Sequence, residues 1–229
     1  MRYQGIFFDI GWTLMKPRRS WFFTDFFYTL VGNQHFRETD LDLAAEKAMP
    51  ILDNDHKMDT LEQEERQFQK FYQAVLSGLP ELNLRTESAK ELAHDKVYNY
   101  ENYIFFDDVK PMLERLKRSY HLGIISDTWP SAEYFLKEQG IYDLFDSITF
   151  SCQLGVFKPD PRMYQHALRG LGLPGEQTIF VDDSLSCLRG AAAAGITPIQ
   201  MRKKPDLPQD TAILSVGSMT GLEQRLHTL

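Results

Sequence analysis

The chain is poor in cysteine and has no excess of basic residues, and each shortage excludes a class of protein. It carries two cysteines, Cys152 and Cys187, whose spacing fits neither a disulfide framework nor a cysteine metal site. We interpret both as free, buried thiols. The formal net charge is −7, which excludes a general nucleic-acid-binding protein, since such a protein would carry a basic stripe.

Long hydrophobic runs are missing as well. No apolar segment approaches the ~20 residues that a bilayer-spanning helix needs. The first strand pattern begins so soon after Met1 that we expect no signal peptide, and therefore a cytoplasmic protein without a membrane partner. A chain of 229 residues, 43% hydrophobic and 25% charged, suffices for one core and a smaller inserted domain. We expect a monomer or a homodimer.

Short apolar segments alternate with helix patterns from about Lys110 onward. The predicted strands are Tyr120–Ser126, Ser147–Ser151, Thr178–Asp182 and Thr197–Met201. The helix patterns between them are Val109–Ser119, Ser131–Gln139, Pro161–Leu171 and Ser184–Ala194. Together with the buried strand that ends at Asp9, this alternation predicts an α/β fold with a doubly wound parallel sheet.

The preceding stretch of about 85 residues shows helical periodicity and no strand pattern. A capping-box sequence from Thr60 to Gln63 opens one helix, and apolar and aromatic residues mark a later helix as far as Tyr103. An all-helical insert between the first two strands of a sheet predicts a separate domain, which we expect to cover the site. The predicted division is a helical cap of residues 20–106 inserted into a core of residues 1–19 and 107–229.

Polar side chains stand where the predicted strands end. Asp9 ends the first strand, Ser126 ends the second, Lys158 follows the third, and Asp182 and Asp183 end the fourth. If the chain crosses over once in each direction about the first strand, these ends meet at one crevice. A carboxylate nucleophile, a hydroxyl, an ammonium and two further carboxylates suit phosphoryl transfer through an aspartyl phosphate. Oxygen-only ligation favours Mg²⁺ as the cofactor.

In this order the four segments resemble the motifs of the haloacid dehalogenase superfamily, over nearly the whole chain. The matching residues are Asp9 with Thr13-Leu14, then Ser126, then Lys158-Pro159, then Asp182-Asp183. The resemblance implies a Rossmann-like core with the insert as the superfamily's first type of cap. It also implies a magnesium-dependent phosphatase that acts on a small phosphorylated metabolite.

The resemblance further implies a role for each site residue. Asp9 would be the nucleophile, and Lys158 would hold both Asp9 and the phosphate. The implied phosphate-binding residues are Ser126, Asp127 and Lys158, and the implied magnesium ligands are Asp9, the backbone carbonyl of Gly11, Asp182 and Asp183.

Gly11 stands where typical phosphatases of the superfamily carry the aspartate that acts as acid and base. A positioned acid/base contributes roughly 10²–10⁴-fold to a rate. Three outcomes stay open: a phosphatase that prefers good leaving groups, replacement of the acid by Asp127 or a cap residue, or a regulatory protein that binds phosphorylated ligands without turnover. The D-x-G pattern with Asp182-Asp183 resembles a branch with active sugar-phosphate phosphatases and favours hydrolysis. Haloacid dehalogenases carry a tyrosine at this position and are a weaker alternative.

Two further segments lie near these motifs in the sequence. Trp12 either narrows the entrance to the site or packs beneath the cap. The segment Arg202–Gln209, rich in proline and lysine, is typical of an exposed loop with a solvated face.

Overall fold

The computed structural model describes residues 2–32, 34, 36–85 and 87–229. The chain divides into two compact units. The first comprises Met1–Lys16 and Phe105–Leu229, and the second comprises Pro17–Ile104. We call them the α/β unit and the helical unit.

The described strands, in chain order, are β1 (Gly5–Phe8), β2 (Met15–Pro17), β3 (Tyr103–Phe105), β4 (His121–Ser126), β5 (Ser147–Phe150), β6 (Thr178–Asp182), β7 (Thr197–Met201) and β8 (Leu214–Val216). Six of them form one sheet in the order β5-β4-β1-β6-β7-β8, and every adjacent pair is parallel. The crossovers run in both directions from the central strand β1. The predicted doubly wound parallel sheet is confirmed.

The described helices are α1 (Asp25–Val31), α2 (Glu38–Asp53), α3 (Leu61–Ser77), α4 (Ser88–Tyr98), α5 (Val109–Leu116), α6 (Ser131–Glu138), α7 (Ser151–Leu154), α8 (Pro161–Leu171), α9 (Leu185–Ala193) and α10 (Met219–Leu226). Helices α1 to α4 belong to the helical unit and the others to the α/β unit. No helix among the described residues is long and apolar enough to cross a bilayer.

Strand β1 lies at the centre of the sheet, and all four of its residues are buried. Phe7 pairs with Gly123 of β4, where a Cβ atom would lie 2.6 Å from the Phe7 ring. Glycine at this position therefore leaves room for the ring beside the neighbouring strand. Cys152 and Cys187 are buried and free, which confirms their interpretation as unpaired thiols.

The helical unit follows from capped amphipathic helices. Thr60 and Gln63 form the predicted capping box at the start of α3, whose buried face carries Phe68, Phe71 and Val75. The prediction that helix continues as far as Tyr103 is wrong. Helix α4 ends at Tyr98, and Tyr103 begins β3, which pairs with β2 in a two-stranded sheet.

Candidate active site

Asp9 directly follows β1 and leads into a tight turn. Its backbone N–H donates to the Val181 carbonyl at 2.9 Å, so the chain stays beside β6 for one more residue. The amides of Thr13, Leu14 and Met15 then converge on one acceptor, the Ile10 carbonyl. This turn leaves the Asp9 carboxylate at the carboxyl edge of the sheet, where doubly wound folds place their ligand sites.

The Lys158 ammonium joins the ends of three strands. Its Nζ donates to Asp9 Oδ1 at 2.7 Å, to Asp182 Oδ2 at 2.7 Å and to the Ile125 carbonyl at 3.2 Å. Its side chain is 3% exposed, and those of Asp9 and Asp182 are 10% and 1% exposed. Charge-assisted hydrogen bonds of this length are strong ones, and burial reduces the screening by water.

The segment that carries Lys158 is itself held on two sides. The Lys158 backbone N–H donates to Asp127 Oδ1 at 2.8 Å, just beyond the end of β4. On the other side α9 approaches closely, because a Cβ atom at Gly190 would lie 2.7 Å from both Pro159 Cβ and the Tyr164 hydroxyl. Glycine at position 190 therefore allows the close contact of α9 with Tyr164 of α8 and with Pro159.

Asp182 and Asp183 complete an acidic cluster with Asp9. One carboxylate oxygen from each of the three residues lies within 4.8 Å of the others. Asp182 Oδ1 also accepts from the Ser184 backbone N–H at 2.7 Å. The cluster has the oxygen-only donor set that magnesium prefers.

The electrostatics of the cluster follow from burial and from the excess of negative charge. Burial and then the charge of Asp9 raise the pKa of Asp183 to about 6, against the lowering effect of Lys204 and Lys158. Burial likewise raises the pKa of Asp182 to about 7, although Lys158 opposes it. Burial disfavours the Lys158 ammonium, yet the nearby carboxylates outweigh it and hold the pKa of that lysine well above its usual range.

The structure brings most of the predicted site residues to one place. Asp9, Lys158 and Asp182 are in direct contact, and Asp183 lies beside them. Ser126 is buried and follows Ile125, whose carbonyl accepts from Lys158. For Asp127 the contact seen is with the Lys158 backbone, so its predicted role in phosphate binding stays a prediction. Gly11 lies in the turn after Asp9 and forms an isolated bridge with Met15.

Three features of the site lie outside the sequence prediction. Trp12 has a φ of +55°, a left-handed conformation that is an outlier for a bulky side chain. The Thr13 Oγ1 atom is buried and has no hydrogen-bond partner among the described residues. The buried Gln200 amide donates to the Asp183 carbonyl at 3.1 Å and to the Pro208 carbonyl at 3.0 Å, which ties the Arg202–Gln209 loop to the site. The pattern of residue types in the sequence does not predict contacts of this kind, although Thr13 itself belongs to the motif at Asp9.

The chain belongs to the haloacid dehalogenase-like hydrolase family, whose model matches residues 3–195. The match contains every residue of the cluster around Lys158. This family membership agrees with the parallel sheet. Both the fold and the family expected from the sequence are confirmed.

Individual relatives share less of the chain. A phosphatase of Mycobacterium tuberculosis is 32% identical over 40% of this chain and 43% of its own length. The glyceraldehyde 3-phosphate phosphatase of Methanopyrus kandleri is 31% identical over 43% of each protein. The matches thus span less than half the length of these relatives. The solved L-2-haloacid dehalogenase of Xanthobacter autotrophicus, with chloropropionic acid covalently bound, has a TM-score of 0.69 at 16% identity over 99% of both chains, which shows a shared fold.

Proposed function

We propose that this hydrolase is a magnesium-dependent phosphatase that acts on a small phosphorylated metabolite through an aspartyl phosphate at Asp9. The observation that carries the proposal is the Lys158 ammonium, which bonds Asp9 and Asp182 at 2.7 Å each within an otherwise acidic cluster. The ammonium holds one oxygen of the Asp9 carboxylate in a fixed position, which orients the other oxygen as a nucleophile.

The chemistry follows from the two oxygens of Asp9. Lys158 occupies Oδ1, whereas no hydrogen bond from a described residue reaches Oδ2. In the first step Oδ2 attacks phosphorus, the bond from phosphorus to the ester oxygen breaks, and the leaving alkoxide takes up a proton from solvent water. In the second step water attacks the aspartyl phosphate, releases inorganic phosphate and regenerates the carboxylate. Lys158 and Ser126 are the groups proposed to hold the phosphate oxygens.

The residues present fit a divalent cation. Three carboxylates face the single ammonium of Lys158, so their full ionisation leaves negative charge uncompensated. Burial, and after it the charge of Asp9, raises the pKa of Asp183 to about 6. Asp9, Asp182 and Asp183, with the Gly11 carbonyl, are the proposed ligands. When bound, Mg²⁺ offsets the repulsion between the carboxylate nucleophile and the anionic substrate.

Gly11 points to substrates whose leaving group needs little protonation. Without an acid two residues after Asp9, the departing oxygen must leave with most of its negative charge, which favours anomeric sugar phosphates and acyl phosphates over simple alkyl esters. The named activity of the Methanopyrus relative, on glyceraldehyde 3-phosphate, supports a small phosphorylated substrate as the general class.

The test is phosphate release from a panel of sugar, nucleotide and acyl phosphates, with Mg²⁺ and with a chelator. The variant Asp9→Asn removes the nucleophile, and Asp143→Asn, at an exposed surface position, is the matched control. We expect metal-dependent release that Asp9→Asn abolishes and Asp143→Asn leaves intact.

Two other results would contradict the proposal in different ways. Measurable binding of phosphate esters or Mg²⁺ without any release would indicate a regulatory ligand-binding protein. Halide release from 2-haloacids without a metal requirement would indicate a dehalogenase.

A further inference from the structure

An exposed lysine stands at the edge of the acidic cluster. The Lys204 ammonium lies 6.0 Å from the centroid of the Trp12 ring, and its positive charge acts on the carboxyl of Asp183. Both neighbours belong to the α/β unit, and Trp12 is three residues from Asp9. No carboxylate of a described residue forms an ion pair with Lys204, whereas Lys158 bonds two.

The loop that carries Lys204 is anchored at its neighbouring residues. The Arg202 guanidinium donates to the Leu207 carbonyl at 3.1 Å and to the Pro208 carbonyl at 3.2 Å. The Lys203 ammonium bonds Asp108 at 2.7 Å and lies 4.1 Å from the centroid of the Phe106 ring. Lys204 is therefore the exposed cation of a loop whose preceding residues are fixed, which lowers the entropic cost of using it in binding.

Trp12 is held in place by an unusual backbone. Its φ of +55° is a strained backbone conformation for a bulky residue, and such outliers cluster at functional sites. The backbone N–H of Trp12 donates to the Met15 carbonyl at 2.6 Å, within the turn that follows Asp9. A distance of 6.0 Å is the outer limit for a cation–π interaction, so the Trp12 ring stabilises the Lys204 ammonium only weakly.

We propose that Lys204 and Trp12 determine substrate specificity by binding the part of the substrate beyond the transferred phosphate. Lys204 would take a second anionic group, a carboxylate or a second phosphate, and the Trp12 ring would pack against the carbon chain between the two groups. The substrate class is then a small phosphate ester with a distal negative charge. This inference rests on the proposed phosphatase function for its setting, but its binding test does not require turnover.

The first test compares alkyl phosphate esters that share one kind of leaving group and differ at the distal group, so that slow release caused by Gly11 affects all of them equally. 3-Phosphoglycerate carries a carboxylate where glycerol 3-phosphate carries a neutral hydroxymethyl group, and a bisphosphate of the same skeleton offers a second phosphate. For Lys204→Met we expect kcat/KM to fall about tenfold on the substrates with a distal anion, through KM, because a charged hydrogen bond is lost. On glycerol 3-phosphate we expect a change within about twofold.

Two control variants separate this role from a general charge effect. Lys204→Arg keeps the charge and should retain most of the preference for a distal anion. Arg118→Met removes one positive charge at an exposed position just before β4, at the opposite edge of the sheet. This variant should leave kcat/KM unchanged on substrates with and without a distal anion. An equal loss on all substrates would overturn the inference, because Lys204 would then act on the shared phosphate or on the metal site.

A binding measurement keeps the inference separate from the proposed function. In Asp9→Asn protein, calorimetry should give 3-phosphoglycerate a Kd about tenfold weaker after Lys204→Met, with glycerol 3-phosphate unaffected. Equal Kd values with and without Lys204→Met, or no binding of 3-phosphoglycerate by the parent, would overturn the inference. Absence of phosphate release by the wild-type enzyme, with this difference in Kd intact, would instead count against the proposed function alone.

Discussion

Asp127 Oδ1 accepts a hydrogen bond of 2.8 Å from the backbone N–H of Lys158, across a sequence separation of 31 residues. The contact links the segment after β4 to the segment whose ammonium bonds Asp9 and Asp182. Asp127 therefore positions the lysine backbone, so that the Lys158 side chain reaches the ends of three strands from a fixed origin.

The variants Asp127→Asn and Asp127→Ala test this role. The amide oxygen of asparagine can still accept from the Lys158 N–H, whereas alanine leaves that donor without its partner. We expect Asp127→Ala to lower the free energy of unfolding by about 1–3 kcal/mol and to reduce kcat, and Asp127→Asn to keep most of both. Urea denaturation and phosphate release measure the two effects. If Asp127→Asn is as damaging as Asp127→Ala, the negative charge matters and the hydrogen bond does not.

The acidic cluster predicts a specific dependence of stability on pH and on metal. Because the pKa of Asp183 is raised to about 6 and that of Asp182 to about 7, the folded protein binds more protons than the unfolded chain between about pH 4 and 7. In a chelator, these two groups therefore make stability fall as the pH rises through that window. Mg²⁺ binds the ionised carboxylates, so its stabilising effect should grow over the same window.

Comparing Asp183→Asn with the wild type isolates one of these groups. In a chelator, the variant should be about 1–2 kcal/mol more stable than the wild type at pH 8. This advantage should be smaller at pH 5 and should vanish only below about pH 4, where the carboxyl of Asp183 is protonated in both the folded and the unfolded chain. The variant should also gain less stability from Mg²⁺ at pH 8. Thermal unfolding at the two pH values measures both, with Asp143→Asn as the control for loss of an exposed carboxylate. A wild-type protein that Mg²⁺ stabilises equally at pH 5 and pH 8 would count against the cluster as the metal site.

The parallel sheet and the residues around Lys158 were predictable because buried strands have a recognisable sequence pattern. Each is an apolar run that ends on a polar residue, and in a doubly wound sheet the ends of neighbouring strands must lie side by side. Asp9 beside Val181 follows from that topology. Lys158 follows β5, which β4 and β1 separate from β6, so its contact with Asp182 depends also on the segment that Asp127 holds.

Contacts that depend on loop conformation were not predictable. The short strands β3 and β8 form by pairing with β2 and β7 and have no strong sequence pattern of their own, so the spacing of aromatic residues wrongly predicts a helix at Tyr103. The Arg202–Gln209 loop has an exposed composition, yet Gln200 and Arg202 fix it next to Asp183 through backbone carbonyls, which any sequence supplies. The left-handed conformation of Trp12 is likewise set by the turn and not by the residue type.

Thr13 offers a test of a buried, unsatisfied hydroxyl. Its Oγ1 is fully buried and forms no hydrogen bond with any residue that the structure describes, which costs about 1–3 kcal/mol. Thr13→Val replaces the hydroxyl with a methyl group of similar shape, so we expect the metal-free, ligand-free protein to gain about 1 kcal/mol in free energy of unfolding. Urea denaturation provides the measurement, and Thr13→Ser, which keeps the hydroxyl, is the control. A loss of stability in Thr13→Val would mean that the hydroxyl finds a partner in solution.

Gly11→Asp restores a carboxyl group two residues after the proposed nucleophile. The backbone permits the change as far as φ is concerned, because Gly11 is not among the described residues with positive φ. A carboxylic acid there could protonate the departing oxygen, a contribution of roughly 10²–10⁴-fold where the leaving group is poor. For acyl phosphates, whose leaving group needs little protonation, the gain should be small.

The measurement is kcat/KM for Gly11→Asp and the wild type on a series of phosphate esters of increasing leaving-group pKa. We expect the logarithm of the wild-type rate to fall steeply along the series and that of Gly11→Asp to fall less, with the two lines converging at acyl phosphates. Gly11→Asn, which adds a side chain of the same size without an acid, should follow the wild-type slope. Parallel lines for Gly11→Asp and the wild type would mean that another group already supplies the proton, so that Gly11 reflects a relocated acid and not a missing one.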